Sequence, residues 1–236
     1  MFTFSPRPPA IVGHRGAPRM APENSLASFR AAVAAGASWV ELDARRTADD
    51  RIAVIHDPAT VDGVAVVERR LDELRPHGVV GLEDVFADLP AGVGADVELK
   101  NLPGEPDYDE EQRLASLVAR VVAAHGGGRP LVASSFNPLA LGALRQERAD
   151  LPLGLLTVPV LELSSGVELA VEFGVDAVFP HVTAPDLTPA AVAAAHARGL
   201  AVMVWTVDEP AQARRLAEAG VDALCTNEPA LLAAAL

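Results

Sequence analysis

One phrase recurs along the chain: an alanine-rich stretch closes on glycine and a short apolar run follows. It appears at Ala35-Gly36-Ala37-Ser38-Trp39-Val40, Phe173-Gly174-Val175-Asp176-Ala177-Val178, Arg198-Gly199-Leu200-Ala201-Val202 and Ala219-Gly220-Val221-Asp222-Ala223-Leu224. Glycine supplies the left-handed residue that ends a helix, and an unbroken apolar run behind it reads as a strand buried on both faces. Such helix-to-strand joints belong to a parallel sheet. Eight strand-like runs can be counted, at residues 11–13, 39–43, 96–100, 131–134, 153–157, 177–181, 201–206 and 223–226. Seven helical stretches fall between them and an eighth, 229–236, follows.

Eight such units in 236 residues predict an α/β fold, a single (β/α)8 TIM barrel occupying residues 1–236 as one domain. An open doubly wound sheet would carry a G-x-G-x-x-G turn after its first strand, and the sequence has none. One interval breaks the rhythm. A further run at 52–55 and an irregular stretch at 58–80 precede a helix at 82–89, so a short elaboration, about 57–80, is expected after the second barrel strand.

With 50% hydrophobic residues the chain can build a sizeable core, while a formal charge of -13 argues against nucleic acid or an anionic membrane surface as partner. An anionic substrate would need a local positive device. The single cysteine, Cys225, excludes an internal disulfide framework and a multi-cysteine metal site. The N-terminal residues MFTFSPRPPA are broken by proline where a signal peptide needs an apolar segment, and no apolar run approaches the roughly 20 residues of a membrane span. The expected location is the cytoplasm, with no stable membrane insertion.

Barrel chemistry gathers at the C-terminal ends of the strands. Those ends carry His14-Arg15, Glu41-x-Asp43, Glu98-x-Lys100, Ser134-Ser135, Thr157, His181, Trp205-Thr206 and Thr226-Asn227. Residues two apart on a strand share a face, so Glu41 joins Asp43, and Glu98 joins Lys100. An antiparallel strand with a wet face would also explain one such pair, but the flanking units read as parallel and buried, where unpaired carboxylates are too costly to keep. Three carboxylates converging on one barrel mouth require a cation. An all-oxygen set suits a hard divalent ion, Mg²⁺ or Ca²⁺. His14 and His56 each end an apolar run at the functional face, and two histidines can divide proton removal and delivery near neutral pH. Arg15 and Lys100 supply the positive device for a phosphate, or else balance carboxylates, Arg15 with Glu23 and Lys100 with Glu98 or Glu41.

In order and across nearly the whole chain, His14-Arg15-Gly16, Pro22-Glu23-Asn24-Ser25, Glu41-Leu42-Asp43, Thr47-Ala48-Asp49, His56-Asp57, Glu98-Leu99-Lys100 and Trp205-Thr206-Val207 resemble the glycerophosphodiester phosphodiesterase family. The resemblance implies metal-dependent hydrolysis of glycerophosphodiesters, small-molecule substrates, to sn-glycerol 3-phosphate and an alcohol on a TIM barrel. It further implies His14 and His56 as the catalytic pair, Glu41, Asp43 and Glu98 as metal ligands, Arg15 and Lys100 as phosphate contacts, and Trp205 on the substrate pocket wall. Glu23 and Asn24 would help order the site, although Asn24 or Ser25 also reads as the cap of a helix at 26–35. His181 would touch substrate or serve as a core or rim residue. Gly13 and Gly16 would let backbone and substrate approach closely.

The chain departs from the family pattern after His56-Asp57: residues 58–79 read PATVDGVAVVERRLDELRPHGV, compact and without the usual Arg-Thr-Thr/Gly-rich loop. The departure falls on the headgroup side of the pocket. Two alternatives stand beside the hydrolase. A phospholipase D-like lyase acting on lysophospholipids calls for an exposed apolar rim, for which the 4% aromatic content offers no aromatic cluster. A non-catalytic barrel binding phosphorylated metabolites predicts loss of part of the polar set, yet His14, Glu41, Asp43, His56 and Glu98 are all present.

Overall fold

The computed structural model describes residues 2–4 and 9–236; residues 1 and 5–8, part of the N-terminal stretch read above for a leader, lie outside them. Ten strands follow in chain order: β1 (Ala10–Gly13), β2 (Trp39–Arg46), β3 (Ile52–Val54), β4 (Val80–Gly81), β5 (Gly94–Leu99), β6 (Leu131–Ser135), β7 (Leu153–Leu156), β8 (Ala177–Phe179), β9 (Ala201–Val204) and β10 (Ala223–Thr226). The helices are α1 (Leu26–Ala34), α2 (Leu71–Leu74), α3 (Leu82–Asp88), α4 (Arg113–His125), α5 (Pro138–Glu147), α6 (Leu163–Glu172), α7 (Pro189–Ala197), α8 (Pro210–Glu218) and α9 (Pro229–Ala233). Strands β1, β2 and β5 to β10 are parallel, and β1 pairs with both β2 and β10, which closes the barrel. Every barrel strand is followed by a helix, as the repeating phrase predicts.

Local chemistry sets these boundaries. Proline opens α5, α7, α8 and α9, where its missing N–H is one that no helix would satisfy. Gly36, Gly174, Gly199 and Gly220 adopt positive φ behind α1, α6, α7 and α8 and turn the chain back to the sheet. Strand β2 runs three residues past Asp43, because Ala44 to Arg46 pair antiparallel with β3, and β3 in turn with β4. The stretch expected to be irregular therefore holds a small antiparallel annex, with α2 between β3 and β4. Thr47 and Asp49 brace it: Thr47 donates to Asp49 (2.7 Å), whose carboxylate accepts the N–H of Leu71 at the start of α2.

Strand alternation divides the core. Val40, Leu42 and Ala44 face outward into the layer beneath the helices, with Val97, Leu99 and Leu141. Facing inward are Val12, Trp39, Val132, Phe179, Met203 and Cys225. Phe4 plugs the N-terminal end of the barrel, its ring 5.0 Å from that of Trp39, and its carbonyl accepts the indole N–H at 2.8 Å. Gly94 and Gly154 leave room for the rings, since a Cβ at either position would collide with Trp39 or Phe179. With aromatics filling that end, inward polar residues gather at the other. Among the described residues no helix is long and apolar enough to cross a membrane.

Candidate active site

The first barrel strand ends in a tight turn, Gly13 to Gly16, closed by the Gly16 N–H on the Gly13 carbonyl. A Cβ at Gly13 would strike the Gly16 carbonyl and Ala32, and one at Gly16, where φ is +90°, would strike Ser28. The two glycines thus allow the close backbone approach of the turn and of helix α1. Arg15 takes the left-handed conformation, φ 51°, and its N–H donates to Glu41 Oε2 at 2.8 Å while Ser28 Oγ donates to its carbonyl. One buried carboxylate oxygen therefore fixes the turn, and its twin, Glu41 Oε1, has no hydrogen-bond partner.

Glu41, Asp43 and Glu98 are buried, and one oxygen of each lies within 4.8 Å of the others. Lys100 Nζ stands 2.7 Å from Glu98 Oε1 and 3.1 Å from Asp43 Oδ1, and Arg15 Nε 3.2 Å from Asp43 Oδ2, all as ion pairs outside hydrogen-bond geometry. Both cations thus balance carboxylates, and Arg15 reaches Glu23 as well, at 3.1 Å. Burial alone would raise Asp43, but Lys100 and Arg15 bring it down to about 2. Burial carries Glu98 up to about 7 against the pull of Lys100, and lifts Glu41 well above its usual value with the help of Asp43 and Glu98. Such a set is short of positive charge, and Glu41 Oε1, Asp43 Oδ1 and Glu98 Oε1 are buried within it without a hydrogen bond. The residues fit a hard divalent cation.

Asn24 does not cap α1. Ser25 does, accepting the Ser28 N–H, while Asn24, buried at φ 56°, donates to Asp43 Oδ2 at 2.7 Å and accepts the Asp43 N–H. Its amide thereby holds Asp43.

Each histidine has one nitrogen committed. His14 Nδ1 lies 2.8 Å from Asn227 Oδ1, and the Asn227 amide is pinned by Asp208, which accepts both its Nδ2–H and its backbone N–H. With the amide oxygen turned to the ring, Nδ1 carries the proton and Nε2 keeps its lone pair. Burial, then Arg15, lowers the His14 pKa from 6.5. His56 Nδ1 faces Asp57 Oδ1 at 2.7 Å. The loop that bears His56 is gripped from below by Arg45, fully buried on β2, which donates to the His56 carbonyl at 2.8 Å and to Asp107 at 2.7 Å.

A cavity of about 140 Å³ joins these groups, lined by His14, Arg15, Glu41, His56, Glu98 and Lys100 on one side and by Phe136, Leu156, Met203, Trp205 and Cys225 on the other. Asp96 and Ser134 complete it. Asp96, whose carboxylate has no hydrogen-bond partner, is pushed well above its usual value by burial. It shares the Glu98 face of β5 by the same two-residue rule, a signal overlooked when the run was read as starting there. Asp208, Asn227 and Arg45 carried no charge-pair pattern that would single them out. Trp205 is on the wall, its N–H bonded to the Phe179 carbonyl at 2.9 Å. His181 is not: Pro180 ends β8, and the ring packs edge-on behind Trp205, 4.8 Å between centroids, with Nδ1 on Thr183.

The model of the glycerophosphoryl diester phosphodiesterase family matches residues 14–231. A glycerophosphodiester phosphodiesterase of Caldanaerobacter subterraneus subsp. tengcongensis is 26% identical over 94% of this chain and 95% of its own. An Oleispira antarctica phosphodiesterase, solved in complex with the product sn-glycerol-3-phosphate, superposes with a TM-score of 0.83 at 25% identity, covering 96% of each chain. The glycerophosphodiester phosphodiesterase of Agrobacterium tumefaciens gives 0.78 at 26% identity over 95% of this chain and 99% of that one.

Proposed function

The chain belongs to the glycerophosphoryl diester phosphodiesterase family, and from that premise we propose that it cleaves glycerophosphodiesters to sn-glycerol 3-phosphate and an alcohol, with His14 as general base and His56 as general acid. The observation that carries the reading is one cavity that brings His14, whose Nε2 lone pair Asn227 leaves free, and His56 together beside a buried acidic trio. His14 is the base because burial disfavours its cationic form and Asn227 keeps the lone pair on Nε2, free to take a proton from the attacking hydroxyl. His56, 36% exposed at the mouth and oriented by Asp57, delivers a proton to the departing alkoxide. Arg15 and Lys100 neutralise the phosphate, and Trp205 packs against the glycerol carbons. Glu41, Asp43 and Glu98 would hold Mg²⁺ or Ca²⁺, which when bound offsets charge on a non-bridging phosphoryl oxygen.

The test is release of sn-glycerol 3-phosphate from glycerophosphocholine and glycerophosphoethanolamine, abolished by EDTA and restored by Mg²⁺ or Ca²⁺. Turnover indifferent to chelator would refute the acidic-trio site. A smaller effect is expected from Asn227→Ala: with Nδ1 unheld, kcat falls about 10-fold to 100-fold with little change in KM, as for other groups that orient a reacting residue; a change in KM alone counts against it.

A second reading draws on Leu139, 62% exposed, and on Val158 and Val160, also exposed, which follow β6 and β7 at the same barrel face as the cavity's apolar wall. They form an aliphatic counterpart to the aromatic rim that composition denies, and favour a lysophospholipid as a further substrate. Cleavage of monomeric lysophosphatidylcholine tests it.

A further inference from the structure

We propose that Arg45 and Asp107 are positioning residues for the proton donor: they lock the His56 backbone to the loop that follows β5, and so hold His56 in register with Glu98 and Lys100 as the alcohol departs. The inference rests on the reading of His56 as general acid. Glu41, Asp43 and Arg45 share one face of β2, since residues two apart on a strand point the same way. The first two belong to the acidic trio. Arg45, one step further along, is 1% exposed and outside the cavity lining. Its guanidinium is fully engaged elsewhere: Nε donates to the His56 carbonyl at 2.8 Å, Nη1 to Asp107 at 2.7 Å and to Glu105 at 2.9 Å, and Nη2 to Glu105 at 3.3 Å. A cation on the site's own face thus serves a loop and not the phosphate. Buried ion pairs commonly stabilise a fold no better than apolar side chains of the same volume, so stability alone does not account for this one.

Both ends of the clamp are themselves fixed. Before His56 the Ile55 N–H donates to the Asp43 carbonyl at 3.0 Å, and after it the Pro58 carbonyl accepts the Val66 N–H at 2.9 Å, with Arg45 holding the peptide between them. The ring makes one side-chain hydrogen bond, to the exposed Asp57, so its placement depends on the backbone. At the other end Asp107 sits in a loop, residues 101–112, stapled by the buried Asn101. Asn101 Nδ2 donates to the Asp109 carbonyl at 2.8 Å and to Gln112 Oε1 at 2.6 Å, Oδ1 accepts the Asp109 N–H at 2.8 Å, and its carbonyl accepts Asn137 Nδ2 at 2.7 Å. Asn101 directly follows Lys100, the partner of Glu98. The brace therefore runs from the strand that bears the metal and phosphate groups, through Asp107 and Arg45, to the proton donor. A reacting group displaced by about 1 Å can cost a reaction about 10²-fold.

The measurement compares kcat on glycerophosphoethanolamine, whose alkoxide needs a proton to leave, with kcat on the p-nitrophenyl ester of glycerol 3-phosphate, whose leaving group needs none. Arg45→Lys keeps the charge that balances Asp107 and Glu105 but loses the fork that also reaches the His56 carbonyl. It is expected to lower kcat on glycerophosphoethanolamine about 10-fold to 100-fold with KM little changed, and kcat on the p-nitrophenyl ester by less than about threefold. In a His56→Ala background the same substitution should cost nothing further, because Arg45 acts through His56. Asp107→Asn, a milder change, should show the same preference at about 10-fold, and it carries the test if Arg45→Lys does not fold. Equal losses on both substrates, or a loss that persists in full in the His56→Ala background, would make the clamp a purely structural tie and overturn the inference alone. If His56→Ala itself is equally impaired on both substrates, the general-acid reading fails and the inference with it.

Discussion

His14→Ala is expected to lower kcat by about 10²- to 10⁴-fold, roughly 3 to 5 kcal/mol of transition-state stabilisation, with KM little changed, because in the proposed role this ring takes up a proton only as the phosphorus–oxygen bond forms. His56→Ala should cost a similar factor on natural substrates. The two part company on a glycerol 3-phosphate ester of p-nitrophenol, whose leaving group needs no proton. That substrate restores most of the lost rate to His56→Ala and none to His14→Ala; rescue of the other variant would reverse the roles. The fold should survive both changes, since each ring makes one side-chain hydrogen bond. The pH profile follows from the same geometry. A base must be unprotonated, and burial lowers His14 below 6.5, so the acid limb of kcat/KM in the unaltered enzyme falls below pH 6.5.

The second large effect concerns the acidic trio. In the metal-free protein burial carries Glu98 up to about 7 and raises Glu41 well above the normal carboxylate range, so a binding cation must displace protons. Affinity for Mg²⁺ or Ca²⁺ should weaken by about tenfold for each pH unit below 7 for every such ligand, and the heat of binding should vary with the ionisation enthalpy of the buffer. A raised carboxylate pKa stabilises the fold at pH values below the unfolded value, and that contribution is lost as pH rises through the folded value. For these two groups the metal-free protein therefore loses stability between about pH 4.5 and 7 and above, and the cation raises the melting temperature most at the alkaline end. Glu98→Gln should reduce affinity by about 10²-fold or more and flatten the pH dependence. Calorimetry across that range settles the matter, and binding independent of pH would count against the trio as ligands.

The barrel was legible because parallel strands buried on both faces leave unbroken apolar runs, and glycine marks each return to the sheet. Less was visible where side chains answer to distant partners. Asn227 orients His14 from 213 residues away; its place at a strand end is visible in the sequence, but not the partner it holds. Arg45 lies beyond the run expected as a strand, yet β2 continues past the barrel, and its guanidinium turns under the His56 loop to Asp107. His181 follows the strand-end rule in sequence, but its ring packs edge-on against Trp205 and binds Thr183, outside the cavity lining. Asn24 satisfied the rule for a helix cap one residue too early, and its left-handed backbone freed the amide for Asp43.

The seam between β1 and β10 has a consequence for how the enzyme comes into being. His14 ends β1, but the groups that hold its ring, Asp208 and Asn227, follow β9 and β10 and reach it only when β10 docks beside β1. A chain in which β10 has not docked can hold the acidic trio and both histidines while His14 Nδ1 lacks its Asn227 partner. Catalytic activity is thereby tied to completion of the ring, and its appearance during refolding reports the final closure rather than the collapse that precedes it.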